Sequence, residues 1–125
     1  MEPPTIKTGK GPEYYIQQAI IKYLEARGWH VLVTHGNMYQ QGLPDLLACH
    51  KDFGHRWIEV KNLDAFSFTP AQRRWFPLMD KGAQPMKIWI LVAATEDEYR
   101  KLFQEPNWYI YMYGTVSGRK GEKRQ

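Results

Sequence analysis

The chain has 125 residues, the length of a single domain, and 43% of them are hydrophobic, which is enough to bury a core. Its one cysteine, Cys49, excludes an internal disulfide framework, and a reducing cytoplasm is the expected location. It contains no apolar run of about 18 residues or more, so we expect no membrane-spanning helix and no membrane partner. The polar, proline-bearing stretch 1–12 lacks the pattern of a secretory signal.

The net charge of +4 favours an acidic partner such as nucleic acid. Three of these four charges lie in the last twelve residues, where four basic side chains outnumber Glu122. The body of the chain is therefore nearly neutral. Its charge alone does not identify a nucleic-acid-binding protein, and motifs have to decide the question.

Glycine and proline mark both ends of one domain. Residues 1–11 are expected to form a flexible lead-in, residues 12–113 a single domain, and residues 114–125 a flexible basic tail. Within the domain, a helix is predicted from Pro12, which suits the first helical position, to Arg27. Gly28 is suited to the left-handed stop of this helix.

The region after this helix is predicted to form three strands. Patterns of apolar and alternating residues place them at 29–34, 43–50 and 55–62. A tight turn at 51–54 joins the last two strands as a hairpin, and a polar, glycine-bounded loop at 35–42 precedes them.

The next elements are a helix, a strand and a helix. The second helix is predicted to begin at Thr69, its cap, and to kink or split at Pro77, which removes one helical hydrogen bond. The continuous apolar run 86–94 predicts a central strand. Thr95 is predicted to begin the third helix, in a reciprocal capping box with Glu98.

Alternation in 108–113 predicts that the last element is a strand. One face would carry three tyrosines and the other Trp108, Ile110 and Met112. These faces would either form an interface between two copies of the chain or cover a helix of the same chain. The whole order predicts an α/β domain with a mixed sheet flanked by helices.

The third predicted strand, Trp57-Ile58-Glu59-Val60-Lys61, carries a carboxylate and an ammonium. Because side chains alternate across a sheet, Glu59 and Lys61 share one face, roughly 6 to 7 Å apart, while Ile58 and Val60 face apolar packing. Alone, this pair is typical of two solvated charges. We expect both side chains to be peripheral to the core.

Asp45 follows Pro44 at the start of the neighbouring strand, so the hairpin brings its carboxylate towards Glu59. Two carboxylates and a backbone carbonyl, that of Val60, would form an all-oxygen site of the kind that Mg²⁺ or Mn²⁺ prefers. Lys61 beside this site is suited to orient an attacking water or to stabilise charge on a phosphate.

Two further residues have both a structural and a chemical interpretation. Glu13 is either a first-turn acid that balances the helix dipole or a contact of the metal or its water. Gln72 is either the reciprocal half of a capping box with Thr69 or a member of the site. For Gln72, we expect the two roles to coexist poorly.

Three motifs in order resemble the VRR-NUC branch of the PD-(D/E)XK nucleases. They are Gly42-Leu43-Pro44-Asp45, then Trp57-Ile58-Glu59-Val60-Lys61, then Ser67-Phe68-Thr69-Pro70-Ala71-Gln72. The likeness covers about residues 12–94, and the helix that carries Glu13 is similar to the leading helix of that family.

The resemblance implies a restriction-endonuclease-like αβββαβ core and a divalent-metal-dependent endonuclease that hydrolyses DNA. Asp45 and Glu59 would be metal ligands, and Lys61 would be the catalytic lysine. Glu13 and Gln72 would complete the site. Short, stand-alone members of the family are typically viral or bacterial and resemble Holliday-junction resolvases. A homodimer acting on junctions or flaps in DNA repair or recombination, in the cytoplasm of a bacterial or phage-infected cell, is therefore implied.

His35, Arg73 and Arg74 are candidate contacts for DNA phosphates. A plain surface histidine and a solvated helix face are the simpler interpretations of these residues. Trp75 and Phe76 are expected to belong to the core rather than to stack on bases.

Two alternatives to a nuclease remain open. The chain would otherwise be a non-catalytic nucleic-acid-binding module, or a subunit of a repair or packaging assembly. The intact set of Asp45, Glu59 and Lys61 argues against a degenerate copy. A zinc protein is disfavoured because the four histidines and Cys49 lack the spacing of zinc ligands.

Overall fold

The computed structural model describes residues 11–34, 42–83 and 85–114. Its helices are α1 (Pro12–Glu25), α2 (Pro70–Met79), α3 (Glu96–Arg100) and α4 (Trp108–Tyr113), with a 3₁₀ turn at Lys101–Phe103. Its strands are β1 (His30–Val33), β2 (Leu46–His50), β3 (Gly54–Val60) and β4 (Ile88–Leu91). The predicted α/β class and the order αβββαβ up to β4 are confirmed. No helix in these ranges has the length and apolar character needed to cross a bilayer.

The four strands form one mixed sheet in the order β1-β2-β3-β4. The first three are antiparallel neighbours, and β4 lies parallel to β3. The predicted hairpin between β2 and β3 is present, with Cys49 opposite His55 and with Gly54, the first residue of β3, at a φ of 86°. Since β3 and β4 are parallel, the chain has to cross over between them, and α2 lies in that crossover.

The two faces of the sheet bury two hydrophobic clusters. Ile58 and Val60 of β3 pack with Ile20 and Leu24 of α1 on one face. Trp57 packs on the other face, against a cluster from α2, β4 and α4 that includes Phe76. The predicted alternation along β3 is thus confirmed, and it directs Glu59 to the face that α2 covers.

The prediction of a central strand at 86–94 is wrong. In the described ranges β4 is an edge strand of only four residues, although all four are buried. The side-chain amide of Asn107 occupies the open edge: Ile90 N donates to Asn107 Oδ1 at 2.6 Å, and Asn107 Nδ2 donates to Ile90 O at 3.2 Å. Apolar packing on both faces, rather than a central position, explains the apolar run.

The predicted strand at 108–113 is a helix, α4. Trp108, Tyr111 and Met112 are buried at helical spacing, while Tyr109 and Ile110 are exposed. Because Asn107 already bonds the edge of β4, that position is closed to a fifth strand. The predicted division into two strand faces is therefore also wrong.

Two smaller predictions about helices need correction. Helix α2 runs through Pro77 without a break, because this proline lies in the last turn and removes only one helical bond. Thr95 caps α3 through Glu98 N, but the carboxylate of Glu98 accepts from Val92 N at 3.0 Å instead of returning to the cap. Thr69 caps α2 as predicted.

Candidate active site

All five residues predicted to be catalytic line one cavity of about 460 Å³ where β3 ends. They are Glu13, Asp45, Glu59, Lys61 and Gln72. They come from α1, the segment before β2, the end of β3 and the start of α2. The sheet and its two flanking helices therefore converge on this one position.

Two hydrogen bonds from backbone N–H groups to carboxylates link Asp45 to Glu59 and Val60 at the end of β3. Asp45 N donates to Glu59 Oε1 at 3.1 Å, and Val60 N donates to Asp45 Oδ2 at 2.9 Å. The backbone of Asp45 is itself held from β1, because Thr34 N donates to Asp45 O at 2.8 Å. The predicted convergence of the two acids is thus present, and it depends on the register of β2 against β3.

The backbone carbonyl of Val60 is directed to the side of β3 on which Asp45 lies, although Val60 is fully buried and does not line the cavity. Lys61 N donates across to Leu91 O in β4 at 3.1 Å. The carbonyl of the same peptide unit is that of Val60, and it points the opposite way, towards β2. Both backbone groups of Val60 are therefore directed to the side on which Asp45 lies.

Lys61 is buried among acceptors. Its Nζ donates to Ser67 O at 2.7 Å and to Gln72 Oε1 at 3.2 Å, and it lies 3.2 Å from Glu59 Oε2. It also lies 4.4 Å from the centre of the Phe68 ring. The predicted separation of roughly 6 to 7 Å between the carboxylate and the ammonium is wrong, because the long side chain of Lys61 bends back to contact Glu59.

The prediction that the charged side chains are peripheral to the core is wrong. Glu59, Lys61 and Gln72 are only 3%, 5% and 8% exposed. Their strand face lies under α2 and the segment that precedes it, rather than in solvent. Buried charges of this kind need hydrogen-bonding partners, and each of these side chains has them.

Gln72 both completes the capping box and contacts Glu59 in the cavity, so the expectation that these two positions coexist poorly is wrong. Its Oε1 accepts from Thr69 N at 3.0 Å, which completes the capping box, and also from Lys61 Nζ. Its Nε2 donates to Glu59 Oε2 at 2.7 Å. The roles coexist because the amide oxygen has two lone pairs and the amide nitrogen is free to donate elsewhere.

The acids of this site have raised pKa values. Burial, followed by the charge of Asp45, raises the pKa of Glu59 to about 8. Burial likewise raises the pKa of Asp45, against the opposing effects of Val60 N–H and Lys61. The pKa of Glu13 is raised by partial burial, while the charges of Lys61 and Asp45 act on it in opposite directions. Glu13, in the first turn of α1, is therefore electrostatically part of the same group.

The donor set fits a hard divalent cation. The residues that line the cavity include three carboxylates and one ammonium, so a cation would reduce an excess of negative charge. All of the donors are oxygens, and Asp45 Oδ1 accepts no hydrogen bond from a described residue. Within residues 11–34, 42–83 and 85–114, no group of three or more His, Cys, Asp or Glu side chains is placed so that it could hold a metal ion.

None of the three residues predicted to contact phosphates is found among the described residues that line the cavity. His35 lies outside the described residues. Arg73 and Arg74 follow Gln72 on α2, but successive helical residues turn by about 100° and neither arginine lines the cavity. Phe76 is buried as predicted, whereas Trp75, expected in the core, is 45% exposed.

The protein is thus a mixed α/β protein in which two carboxylates and a buried lysine line one cavity at the end of the sheet. No family model, curated protein or solved structure matches the chain.

Proposed function

We propose that this protein is a divalent-metal-dependent endonuclease that hydrolyses phosphodiester bonds of DNA, with a restriction-endonuclease-like core of the VRR-NUC type. The observation that carries the proposal is that Asp45 and Glu59 line one cavity, with their carboxylates held by Val60 N and Asp45 N, and that Lys61 Nζ lies 3.2 Å from Glu59 Oε2. Paired acids and a lysine are the groups required to bind a cation and to act on a phosphate.

Asp45, Glu59 and the carbonyl of Val60 would hold Mg²⁺ or Mn²⁺ through oxygen atoms. The ion would supply Lewis acidity to the phosphate and lower the pKa of a bound water. Glu59 is held for this task by Gln72 Nε2 and Asp45 N, which fix the orientation of its carboxylate.

Lys61 provides the fixed positive charge. Ser67 O, Gln72 Oε1 and Glu59 Oε2 together occupy its three N–H groups, so its charge acts on the phosphate through space, and it donates to the attacking water only where it releases Glu59. Glu13 is the most exposed of the three acids. Its carboxylate is the group that accepts the proton of the attacking water.

The proposal extends to branched DNA as substrate and a homodimer as the working assembly, in the cytoplasm of a bacterial or phage-infected cell. Its support is the resemblance to short VRR-NUC nucleases, together with the free thiol of Cys49. Because residues 108–113 form a helix rather than a strand, the surface proposed for the dimer is the exposed side of α4, which carries Tyr109, Ile110 and Tyr113.

The decisive test is nicking of supercoiled plasmid and cleavage of a four-way junction in Mg²⁺, in Mn²⁺ and in EDTA. We expect cleavage with either metal and none in EDTA. Asp45→Asn should abolish cleavage without unfolding the chain, because an amide oxygen still accepts from Val60 N–H. Asp52→Asn, which makes the same change on the exposed hairpin turn, is the matched control.

Lys61→Met should also abolish cleavage, because it keeps the length of the side chain but removes the charge. Cutting by Asp45→Asn at the rate of the unchanged protein would refute the proposed site. If the protein binds the junction but cuts nothing in any metal, it is instead the non-catalytic module or assembly subunit.

A further inference from the structure

One large aromatic side chain beside the cavity faces solvent. Trp75 of α2 is 45% exposed, although tryptophans are among the side chains that bury most apolar area. It is nevertheless held in place. A Cβ built on Gly42 would lie 2.6 Å from Trp75 Cδ1, so the indole packs directly against the backbone there. Gly42, at a φ of 94°, is the residue that permits this approach.

The position of Trp75 is tied to the proposed catalytic residues from two directions. It lies three residues after Gln72 on α2, which is one helical turn or about 5 Å along the axis, and Gln72 donates to Glu59 at 2.7 Å. The backbone against which it packs, at Gly42, is three residues before Asp45. The exposed indole is therefore next to the cavity rather than on a remote surface.

A positively charged side chain lies beside this indole. Helix α2 contains Arg73 and Arg74 and no acidic residue. The guanidinium of Arg74 is exposed and lies 5.9 Å from the centre of the Trp75 ring. An aromatic plane beside cations and next to a phosphodiester-cleaving site has the chemistry that single-stranded nucleic acids bind: bases stack on the ring, and phosphates pair with the cations.

We propose that Trp75 is a stacking platform for one unpaired nucleobase of the substrate, close to the phosphate that is cut, with Arg74 contacting the adjoining backbone. The inference deepens the proposed function, because it assigns substrates with unpaired bases near the cleavage point. A base within an intact duplex has both faces covered by its neighbours. It is therefore not available to Trp75, and a flap, a gap or a junction arm supplies the base more readily.

Binding without cleavage tests this inference separately from the proposed function. The full chain is titrated in EDTA into a fluorescein-labelled oligothymidylate and into a blunt duplex, with anisotropy as the readout. Trp75→Ala should weaken binding to the oligothymidylate by about 5-fold to about 100-fold, the range that stacking on one aromatic side chain supplies. Binding to the blunt duplex should change much less.

Two further variants control this comparison. Trp75→Phe should retain most of the affinity, because it keeps an aromatic face and is a milder change to the fold. Phe53→Ala removes a side chain of similar exposure, 46%, from the hairpin turn before β3, whereas the cavity lies where β3 ends. It should leave binding unchanged. Equal affinities of Trp75→Ala and Phe53→Ala for the oligothymidylate would overturn the inference.

An abasic site moved along a flap substrate locates the stacked base. At one position, the abasic site should weaken binding by the unchanged protein but not by Trp75→Ala. This position should lie beside the phosphodiester bond that is cut. If Trp75→Ala alters the mass of the protein in solution and not its affinity for the oligothymidylate, the residue contacts a second copy and the inference is wrong. Trp75-dependent binding without cleavage in any metal would uphold the stacking role of Trp75 and reject the proposed nuclease.

Discussion

Glu59 is a carboxyl group with almost no access to solvent, and burial, followed by the charge of Asp45, raises its pKa from 4.5 to about 8. Below pH 4.5 the group is neutral in both the folded and the unfolded chain, so it has no effect on stability. Above that pH the unfolded chain ionises it first. In the metal-free protein the free energy of unfolding therefore falls as the pH rises towards 8.

We predict that Glu59→Gln stabilises the metal-free protein at pH 8 and has little effect at pH 4. The difference should exceed about 1 kcal/mol, since a tenfold change in proton affinity corresponds to about 1.4 kcal/mol. The measurement is urea unfolding in EDTA at several pH values. Replacing EDTA by Mn²⁺ should stabilise the unchanged protein and not the variant, because ligand binding to the folded state adds stability.

Glu25→Gln, an exposed change at the last residue of α1, is the control for this experiment. It should have the same small effect at every pH. A Glu59→Gln variant that is no more stable than the unchanged protein at pH 8 would contradict the raised pKa of the buried Glu59 carboxyl group.

The residues of the candidate site were predictable to different degrees. Asp45 and Glu59 followed from the hairpin, because two adjacent strands bring their ends together. The depth of Lys61 did not, since alternation identifies a face of a sheet but not what covers it. The carbonyl of Ser67 that holds Lys61 had no sequence signal, because any residue provides a backbone acceptor. The exposure of Trp75 was missed because aromatic residues are usually buried.

At the level of elements, local signals were sufficient where they agreed. Pro12 and Thr69 mark the starts of α1 and α2 by the chemistry of helix ends, and both are confirmed. The segment 108–113 has six residues with spacing that suits both a strand and a helix. Its structure depends on Asn107, whose side chain bonds the edge of β4, and this tertiary contact has no local signature.

We predict that Asn107→Leu lowers the free energy of unfolding by about 1 to 3 kcal/mol, because Ile90 N–H and C=O both lose their partner. Urea unfolding gives the stability, and hydrogen exchange of the Ile90 amide reports the edge itself. Asn107→Asp keeps the acceptor for Ile90 N–H but sets a carboxylate oxygen against Ile90 O, so it should destabilise the edge as well. Unchanged exchange at Ile90 in Asn107→Leu would show that the contact does not protect the edge.

At the level of the whole molecule, we predict a homodimer that cuts a four-way junction faster than linear duplex. A junction needs two symmetric cuts, and a two-fold dimer supplies two copies of one site through a single interface. Light scattering at micromolar concentration should give a mass near twice 14.8 kDa. A monomer mass with and without DNA would contradict the assembly, and equal rates on the two substrates would contradict the preference.

The proposed interface on α4 has its own test. Ile110→Asp places a charge on the exposed side of α4 and should give the monomer. Leu32→Asp makes the same kind of change on β1, at the opposite edge of the sheet, and should leave the dimer intact. If Leu32→Asp dissociates the dimer and Ile110→Asp does not, the interface lies at the edge of β1 instead.

Four of the five candidate catalytic residues lie within the contiguous stretch 45–72, and only Glu13 is distant in the chain. Asp45 contacts Glu59 and Val60 across separations of 14 and 15 residues, which are short for a catalytic centre. Contacts between near neighbours form early during folding, because closing a short loop costs little entropy. Asp45, Glu59 and Lys61 should therefore come together as the β2–β3 hairpin forms, before β4 docks. Pulse labelling of the Val60 amide proton, which Asp45 Oδ2 accepts, should show when this contact forms during refolding.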